Sequence, residues 1–172
     1  MKISAKGRYG LAAMSHMAQN YQTGSPITII SIAEKLGISK IYLEQVFSLL
    51  KRSGLVNSIK GAQGGYQLAL APNKITVYAI LAAIEIALVE TTENTVKEQA
   101  PSLDAALRIT VFDVIDRNLS ETLKQISLND IINEAEKQIR SGKYFTQEEA
   151  DTLLAEWEKS KPTSEVACNS FI

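Results

Sequence analysis

Side chains that bind metals or act as nucleophiles are scarce in this sequence of 172 residues, which has one cysteine, Cys168, and one histidine, His16. One cysteine excludes a disulfide within the chain. An iron–sulfur cluster needs several thiolates, with histidine or carboxylate as occasional substitutes. A cluster held by one chain is therefore excluded, and we expect no cofactor. Because the two residues are far apart, with no sign of a nucleophile and its base, we expect no enzyme.

Long apolar segments are also missing. No run approaches the roughly 18 residues that cross a membrane, and residues 1–8 lack the apolar stretch of a signal peptide. The glycines within residues 61–65 do not form a phosphate-binding loop, because they lie in a hairpin and not in a strand-to-helix turn. We therefore expect a cytoplasmic protein with no membrane partner.

Positive charge is present mainly in the first half. Residues 1–74 contain nine Lys/Arg and two Asp/Glu, a net charge of +7, whereas residues 75–172 contain nine and seventeen, a net charge of −8, which together give the −1 of the chain. A basic half of a nearly neutral chain indicates contact with nucleic-acid phosphates. The alternative is a basic surface that is merely solvated.

A helix-turn-helix pattern follows a first predicted helix at residues 4–21. Apolar residues recur at helical spacing in residues 28–36, and Gly37 suits a helix end because it adopts positive φ freely. Ser39 is placed to cap a second helix that extends to Leu50. Two helices joined by a short turn that contains glycine are typical of a helix-turn-helix motif.

Two strand-like runs come next, at residues 55–60 and 66–70, with a glycine-rich tip between them. Such a tip, with the basic Lys60 at its base, suits a hairpin whose backbone closely approaches a phosphate. A helix-turn-helix followed by this hairpin predicts a winged helix, so the expected fold is mainly α with a small β-hairpin.

Several side chains of this unit are candidates for contact with DNA. In the second helix, Lys40 can donate to guanine, Gln45 can donate to adenine and Glu44 can accept from cytosine. Taken singly, each candidate is better explained as a solvated side chain than as a contact. Tyr42 can be a core ring whose hydroxyl reaches a phosphate. The predicted DNA-binding residues are Lys2, Lys6, Arg8, Ser39, Lys40, Tyr42, Glu44, Gln45, Lys60, Gln63 and Gly64.

The second half contains a long amphipathic helix. A helix at residues 76–86 is expected to pack back on the winged helix, residues 89–101 are expected to form a loop, and Ser102 is placed to cap the long helix. Its apolar stripe of about seven turns is too long for a small domain to bury alone, which favours pairing with a second copy. The alternative is packing against this chain's own DNA-binding domain. The predicted dimer interface consists of Leu103, Leu107, Val111, Val114, Ile115 and Leu119.

Two shorter helices are predicted after it. Ser127 can cap one that ends near Arg140, and the Thr-Gln-Glu-Glu run at 146–149 is a capping box for the other. The predicted division is a winged-helix DNA-binding domain, dimerisation helices, and a C-terminal helix with a flexible tail, at residues 1–75, 76–140 and 141–172.

Three short motifs resemble those of the winged-helix regulator family of IscR, NsrR and CymR. They are Lys-Gly-Arg-Tyr-Gly at residues 6–10, Tyr-Leu-Glu-Gln at residues 42–45 and Gly-Gly-Tyr at residues 64–66. The resemblance covers about residues 1–140 and implies a homodimer, with the long helix as its interface, bound to palindromic DNA. In the IscR and NsrR branches, three cysteines before that helix hold an iron–sulfur cluster. The loop here, residues 89–101, has none, so the resemblance is to the cluster-free branch of CymR, a repressor of cysteine-metabolism genes.

The resemblance also suggests a role for the last residues. Repressors of that branch act with O-acetylserine sulfhydrylase, an enzyme that recognises partner C-termini ending in isoleucine. Phe171 and Ile172 are therefore predicted to bind this enzyme, and the alternative is a tail that ends in isoleucine by chance. Cys168 is either inert or a redox-sensitive thiol.

The leading interpretation is a homodimeric, sequence-specific repressor that binds double-stranded DNA. Two alternatives are a thiol redox sensor that signals through Cys168 and an adaptor whose winged helix binds protein. Salt-dependent binding to duplex DNA distinguishes the repressor from the adaptor, because neutralising phosphates releases counterions.

Overall fold

The structure is a computed structural model that describes residues 3–85, 90, 92–93, 96–144 and 146–159. Eight α-helices and one hairpin occur in these ranges. The helices are α1 (Ala5–Gln19), α2 (Ile29–Leu36), α3 (Lys40–Arg52), α4 (Val77–Ile84), α5 (Pro101–Leu107), α6 (Asp113–Gln125), α7 (Leu128–Arg140) and α8 (Gln147–Lys159), and the strands are β1 (Val56–Ile59) and β2 (Gly65–Leu68). The predicted mainly helical fold with a small hairpin is confirmed.

The helix-turn-helix forms where its local signals predict it. The Thr28 hydroxyl accepts from the Ser31 N–H at the start of α2, and Gly37 ends that helix in the left-handed region with φ of 63°. The predicted cap of α3 is wrong in one respect: Ser39 occupies the N-cap position, but its side chain makes no capping hydrogen bond. The first N–H groups of α3 therefore remain available to water or to another acceptor.

The wing is an antiparallel pair in which Val56 lies opposite Leu68 and Ile59 opposite Gly65. Its strands are shorter than predicted at the base, because the Leu55 N–H donates to the Leu50 carbonyl at the end of α3 (3.0 Å). Ile27 lies beside β2 and exchanges two backbone hydrogen bonds with Tyr66, at 2.9 and 2.8 Å. These bonds connect the wing to the start of the helix-turn-helix.

One hydrophobic core unites the helices with the wing. α1 packs against α2, α3, α4, α7 and β2. Buried members of the core include Met14, Met17, Ile32, Leu43, Val46, Phe47, Leu50, Val56, Ile75, Ile80 and Leu128. Since Leu128 lies at the start of α7, this helix contributes to the same core as the DNA-binding unit.

The long helix consists of α5 and α6 joined by a π-helical turn, Arg108–Phe112. The prediction that Ser102 caps it is wrong: Pro101 is the first helical residue and Ala100 the N-cap. Proline is favoured there because its fixed φ suits a helix and its missing N–H would have had no partner. The π-turn adds a residue to one turn, so it shifts the faces of α5 and α6 relative to an uninterrupted helix.

α7 and α8 pack against each other at the end of the described chain. Ser127 caps the start of α7, as predicted, and Asp130 bonds back to Ser127, which completes a reciprocal capping box that was not predicted. Thr146 and Glu149 do the same for α8, with the Glu149 carboxylate accepting from the Thr146 N–H and hydroxyl at 2.8 Å. Ala150 is buried against Ile139 of α7. None of the described helices combines the length and apolar character needed to span a membrane.

Candidate nucleic-acid interface

α3 is the second helix of the helix-turn-helix, the one that such motifs use as the recognition helix. One of its faces is buried and the other is exposed, as the spacing of its apolar residues predicts. Leu43, Val46, Phe47 and Leu50 are fully buried in the core. Exposed on the other side are Ser39, Lys40, Ile41, Glu44 and Gln45. The side chain of Ile41 is 70% exposed and is therefore an apolar group within an otherwise polar surface. Such a surface can present both hydrogen-bonding groups and an apolar contact to base edges.

Lys6 of α1 lies beside this surface. It lines a shallow groove of about 530 Å³ together with Ile41, Glu44, Gln45, Ser48 and Leu49 of α3. Arg8, two residues and about half a turn further along α1, is exposed. The structure therefore brings Lys6 to the recognition helix, although the two are far apart in sequence. Lys2, predicted as part of the same basic cluster, lies outside the described residues.

Tyr42 has its ring in the joint between α1 and α3. The ring meets that of Tyr9 edge to face, with the centroids 5.4 Å apart and the planes at 87°. Aromatic pairs favour this arrangement because the positive edge of one ring faces the negative face of the other. The half-buried Tyr42 thus helps to hold α1 against α3.

The wing presents Lys60 and Gln63 as exposed side chains at its tip. Gly64 was predicted as a close approach to phosphate, but the hairpin itself requires a glycine there. A Cβ atom on Gly64 would lie 2.4 Å from the Ile59 carbonyl oxygen and 2.8 Å from that of Gly61. Gly65 was not among the predicted residues, yet its Cβ would lie 2.6 Å from the Ile27 carbonyl oxygen. Both glycines permit the wing to close against its neighbours.

Close contacts also explain the two glycines of α1, and the apolar periodicity of the sequence did not indicate these contacts. A Cβ on Gly7 would lie 1.9 Å from Glu85 Oε1, and one on Gly10 would lie 2.1 Å from Ile84 Cδ1. Glu85 follows α4 directly, and its carboxylate accepts from the Ser4 N–H at 3.0 Å and from the Ser4 hydroxyl at 2.9 Å. Two small residues spaced three apart on α1 were the available signal, since they mark a face that another helix can approach closely.

The segment before the long helix is held by hydrogen bonds. The buried Asp104 carboxylate accepts from the Val96 N–H at 3.1 Å. Asp116 accepts from the Thr92 N–H and hydroxyl, each at 3.3 Å. Arg108 donates to the Thr92 carbonyl and pairs with Asp113. Within the described ranges no group of three or more His, Cys, Asp or Glu is arranged to hold a metal ion. The donor set here is carboxylate, hydroxyl and amide, which does not fit a thiolate-bound cluster.

The apolar stripe of the long helix remains largely uncovered. Leu103 is 55% exposed and Ile115 is 58% exposed, whereas Leu107 and Leu119 are partly buried. Val111 and Val114 are also exposed, and so is Ile109, which the predicted stripe did not include. α6 packs against α4, where the Lys124 ammonium lies 4.7 Å from the Tyr78 ring centroid. Packing on the chain's own domain therefore covers one side of α6 and leaves these side chains exposed.

Comparison with known proteins agrees with this architecture. Residues 3–134 match the model of the Rrf2 family, described as an iron-dependent transcriptional regulator. The chain belongs to the Rrf2 family. It is 37% identical to the HTH-type transcriptional regulator IscR of Aliivibrio salmonicida over 138 residues, which are 80% of this chain and 81% of that protein. With IscR of an Enterobacter species it is 33% identical over 156 residues, 91% and 94% of the two chains.

Solved structures of the Rrf2 type also match. CymR (YrzC), the global cysteine regulator of B. subtilis, superposes with a TM-score of 0.66 at 35% identity, covering 78% of this chain and 98% of that one. IscR of T. potens gives a TM-score of 0.63 at 35% identity, with 80% and 90% covered. The predicted family, the winged helix and the role in DNA binding and transcription regulation are thereby confirmed. These relatives are regulators and not enzymes.

Proposed function

We propose that this protein is a cytoplasmic, homodimeric repressor that binds a palindromic operator and works without an iron–sulfur cluster. The observation that carries the proposal is the α3 surface, where Lys6 joins exposed polar residues and Ile41 in one open groove. Helix-turn-helix proteins place such a helix in the major groove, and the wing contacts the adjoining backbone. Lys40 and Gln45 are the proposed base-reading donors, and Lys60 the proposed phosphate contact.

The uncovered side of the long helix supports the dimer. Large apolar side chains that stay in water are unfavourable, and a second copy can bury them around a two-fold axis. A helix of this kind presents the same surface to its partner, so each side chain contributes twice. Two winged helices related by that axis would bind half-sites about one turn of DNA, or a multiple of it, apart.

The side chains around Thr92 support the cluster-free state. Residues 89–101 contain neither cysteine nor histidine. The carboxylates of Asp104 and Asp116 and the Arg108 guanidinium hold the described part of this segment by hydrogen bonds. We expect protein purified without oxygen to contain no stoichiometric iron or acid-labile sulfide and to bind DNA equally well after treatment with a chelator. Stoichiometric iron that is required for DNA binding would contradict the proposal.

DNA binding itself is tested with duplexes that the protein selects from a random pool. We expect the logarithm of the binding constant to fall linearly with the logarithm of the salt concentration, because phosphate contacts release counterions. We also expect the selected sites to contain inverted repeats. An adaptor whose winged helix binds protein would select no duplex.

The cysteine-metabolism role is the finer part of the proposal. Its support is the similarity to CymR, described as a global cysteine regulator. The proposed contact with O-acetylserine sulfhydrylase is through Phe171 and Ile172, which lie outside the described residues. A peptide of residues 163–172 with a free carboxylate should compete with substrate for the enzyme of the same organism, whereas a peptide lacking Ile172 should not. No competition at millimolar peptide would contradict this part of the proposal.

A thiol redox response is the alternative mode of regulation. Cys168 also lies outside the described residues, so its only support is that it is the one thiol of the chain. If DNA binding by a Cys168→Ser variant responds to oxidant as the wild type does, this alternative is wrong.

A further inference from the structure

Glu85 connects the end of α4 to the first turn of α1, across 81 positions of sequence. Its Oε1 atom accepts two hydrogen bonds, from the Ser4 N–H at 3.0 Å and from the Ser4 hydroxyl at 2.9 Å. The Ser4 hydroxyl oxygen in turn accepts from the Gly7 N–H at 3.0 Å. A carboxylate at this end of a helix is also favoured by the helix dipole. The contact therefore fixes where α1 begins and how its first turn is oriented.

The space for this carboxylate depends on the glycines of α1. With a Cβ on Gly7 only 1.9 Å from Glu85 Oε1, any other residue there would displace the carboxylate or the helix. Gly10 provides the same clearance for Ile84 one turn later. Two glycines in the middle of a helix cost conformational entropy, roughly 0.5–1 kcal/mol each relative to alanine. The close approach of Glu85 and Ile84 accounts for their presence.

The turn that Glu85 fixes is the turn that carries Lys6. Lys6 lines the groove beside Ile41, Glu44 and Gln45 of the recognition helix. A lysine ammonium sits on a flexible stem of limited length, so the position of its backbone sets which phosphates it can reach. On electrostatic grounds alone, a carboxylate near this surface would weaken the binding of DNA. An effect of Glu85 on the position of Lys6 would strengthen DNA binding, whereas the negative charge of Glu85 would weaken it.

We propose that Glu85 is a positioning residue for DNA binding, which orients the first turn of α1 so that Lys6 contacts a phosphate beside the recognition helix. The inference rests on the proposed function, because it requires that α3 reads DNA. It gives Glu85 a role that is distinct from base reading and from dimerisation.

The test compares Glu85→Ala with Glu93→Ala on a duplex selected by the wild type. Glu93 is exposed, and both substitutions remove one negative charge. Charge alone would make both variants bind DNA as tightly as the wild type or more tightly. We expect this of Glu93→Ala. Glu85→Ala also removes the oxygen that accepts both bonds from Ser4. We expect it to bind about tenfold more weakly, a loss of the size seen when a helix cap is removed, and its salt slope to decrease by about 1 as one phosphate contact is lost.

A double-mutant cycle with Lys6→Ala distinguishes positioning from a general loss of stability. If Glu85 acts through Lys6, Glu85→Ala has no further effect on DNA affinity or on the salt slope once Lys6 is alanine. Ser4→Ala removes the hydroxyl that donates to Glu85 and accepts from the Gly7 N–H, so it should shift the wild-type values in the same direction. Circular dichroism and thermal unfolding of each variant show that the comparison is made between folded proteins.

The possible outcomes are distinct. Weakened binding with a reduced salt slope, absent in the Lys6→Ala background, supports the inference. If Glu85→Ala binds like Glu93→Ala, or if its effect adds to that of Lys6→Ala with an unchanged slope, the inference is wrong while the proposed function stands. If the wild type itself selects no duplex, the proposed function fails, and the inference fails with it.

Discussion

At the residue scale, two of the groups proposed to contact DNA are held only weakly in the protein alone. Lys40 and Glu44 form an ion pair at 3.6 Å, but their side chains are 54% and 51% exposed. An exposed pair of this kind contributes about 0–1 kcal/mol, because water and salt screen it. Base edges and phosphates can therefore compete for both groups at little cost.

A comparison of Gln45→Ala with Lys60→Ala tests the division between reading bases and holding the backbone. We expect Gln45→Ala to relax sequence preference at one position, where a good base contact is worth about 1–3 kcal/mol. Lys60→Ala should weaken binding to selected and random duplexes by about the same factor and lower the salt slope by about 1. Equal losses on selected and random DNA for Gln45→Ala would remove Gln45 from the base-reading set.

At the element scale, two serines placed before apolar stripes differ in whether they cap a helix, because the neighbouring residues differ. Ser127 starts α7 with a reciprocal bond to Asp130, and these bonds hold the pKa of Asp130 below its usual range. Ser102 has a similar position relative to an apolar stripe, but Pro101 begins that helix one residue earlier. The capping box at Ser127 also directs α7 into the core, where Leu128 is fully buried.

Ser127→Ala is therefore expected to lower the free energy of unfolding by about 1 kcal/mol, the typical worth of an N-cap serine. Ser102→Ala is the matched control and should change the stability by less than about 0.5 kcal/mol, as for most surface positions. The measurement is chemical denaturation of both variants at neutral pH. Because the lowered pKa means that the ionised form of Asp130 is favoured in the folded state, the advantage of the wild type over Ser127→Ala should decrease as the pH falls through that lowered pKa. Equal stability of the two variants would contradict the assignment.

At the scale of the whole molecule, the proposal assigns two surfaces to different partners. The α3 groove and the wing would face DNA, and the exposed side of the long helix would face a second copy. α8 adds a contact behind the helix-turn-helix, where Glu156 accepts a hydrogen bond from Lys35 of α2 at 2.9 Å. Since both side chains are more than half exposed, this pair alone holds α8 only weakly. Burial of Ala150 against Ile139 contributes the apolar part of the attachment.

Substitution of Ile115 by aspartate tests the proposed dimer. A charge placed in an apolar interface without a partner is strongly unfavourable, so Ile115→Asp should sediment as a monomer and lose the tight binding to an inverted repeat. Val111→Asp should have the same effect. Leu70→Asp is the control, because Leu70 is 49% exposed and lies outside the long helix. If Ile115→Asp remains a dimer and binds an inverted repeat normally, the interface lies elsewhere.

The sequence by itself determined the elements whose signals lie within a few residues of each other. Gly37 ends α2 in the left-handed region, and the cap at Ser127 and the capping box at Thr146 form as predicted. The net charge of residues 1–74 likewise needed no structure to indicate a phosphate partner. Helix ends, turns and apolar periodicity depend on neighbouring residues, so they can be identified from the chain alone.

Only the tertiary structure decided which distant groups meet. Nothing in the local sequence of Glu85 indicates that its carboxylate bonds to Ser4, or that Gly7 is small to leave room for it. Gly65 is likewise required by the backbone of Ile27, which lies in another element. The π-turn in the long helix alters which of its apolar residues share a face. These features arise from contacts between surfaces brought together by the hydrophobic core, and helical or strand periodicity contains no information about such pairings.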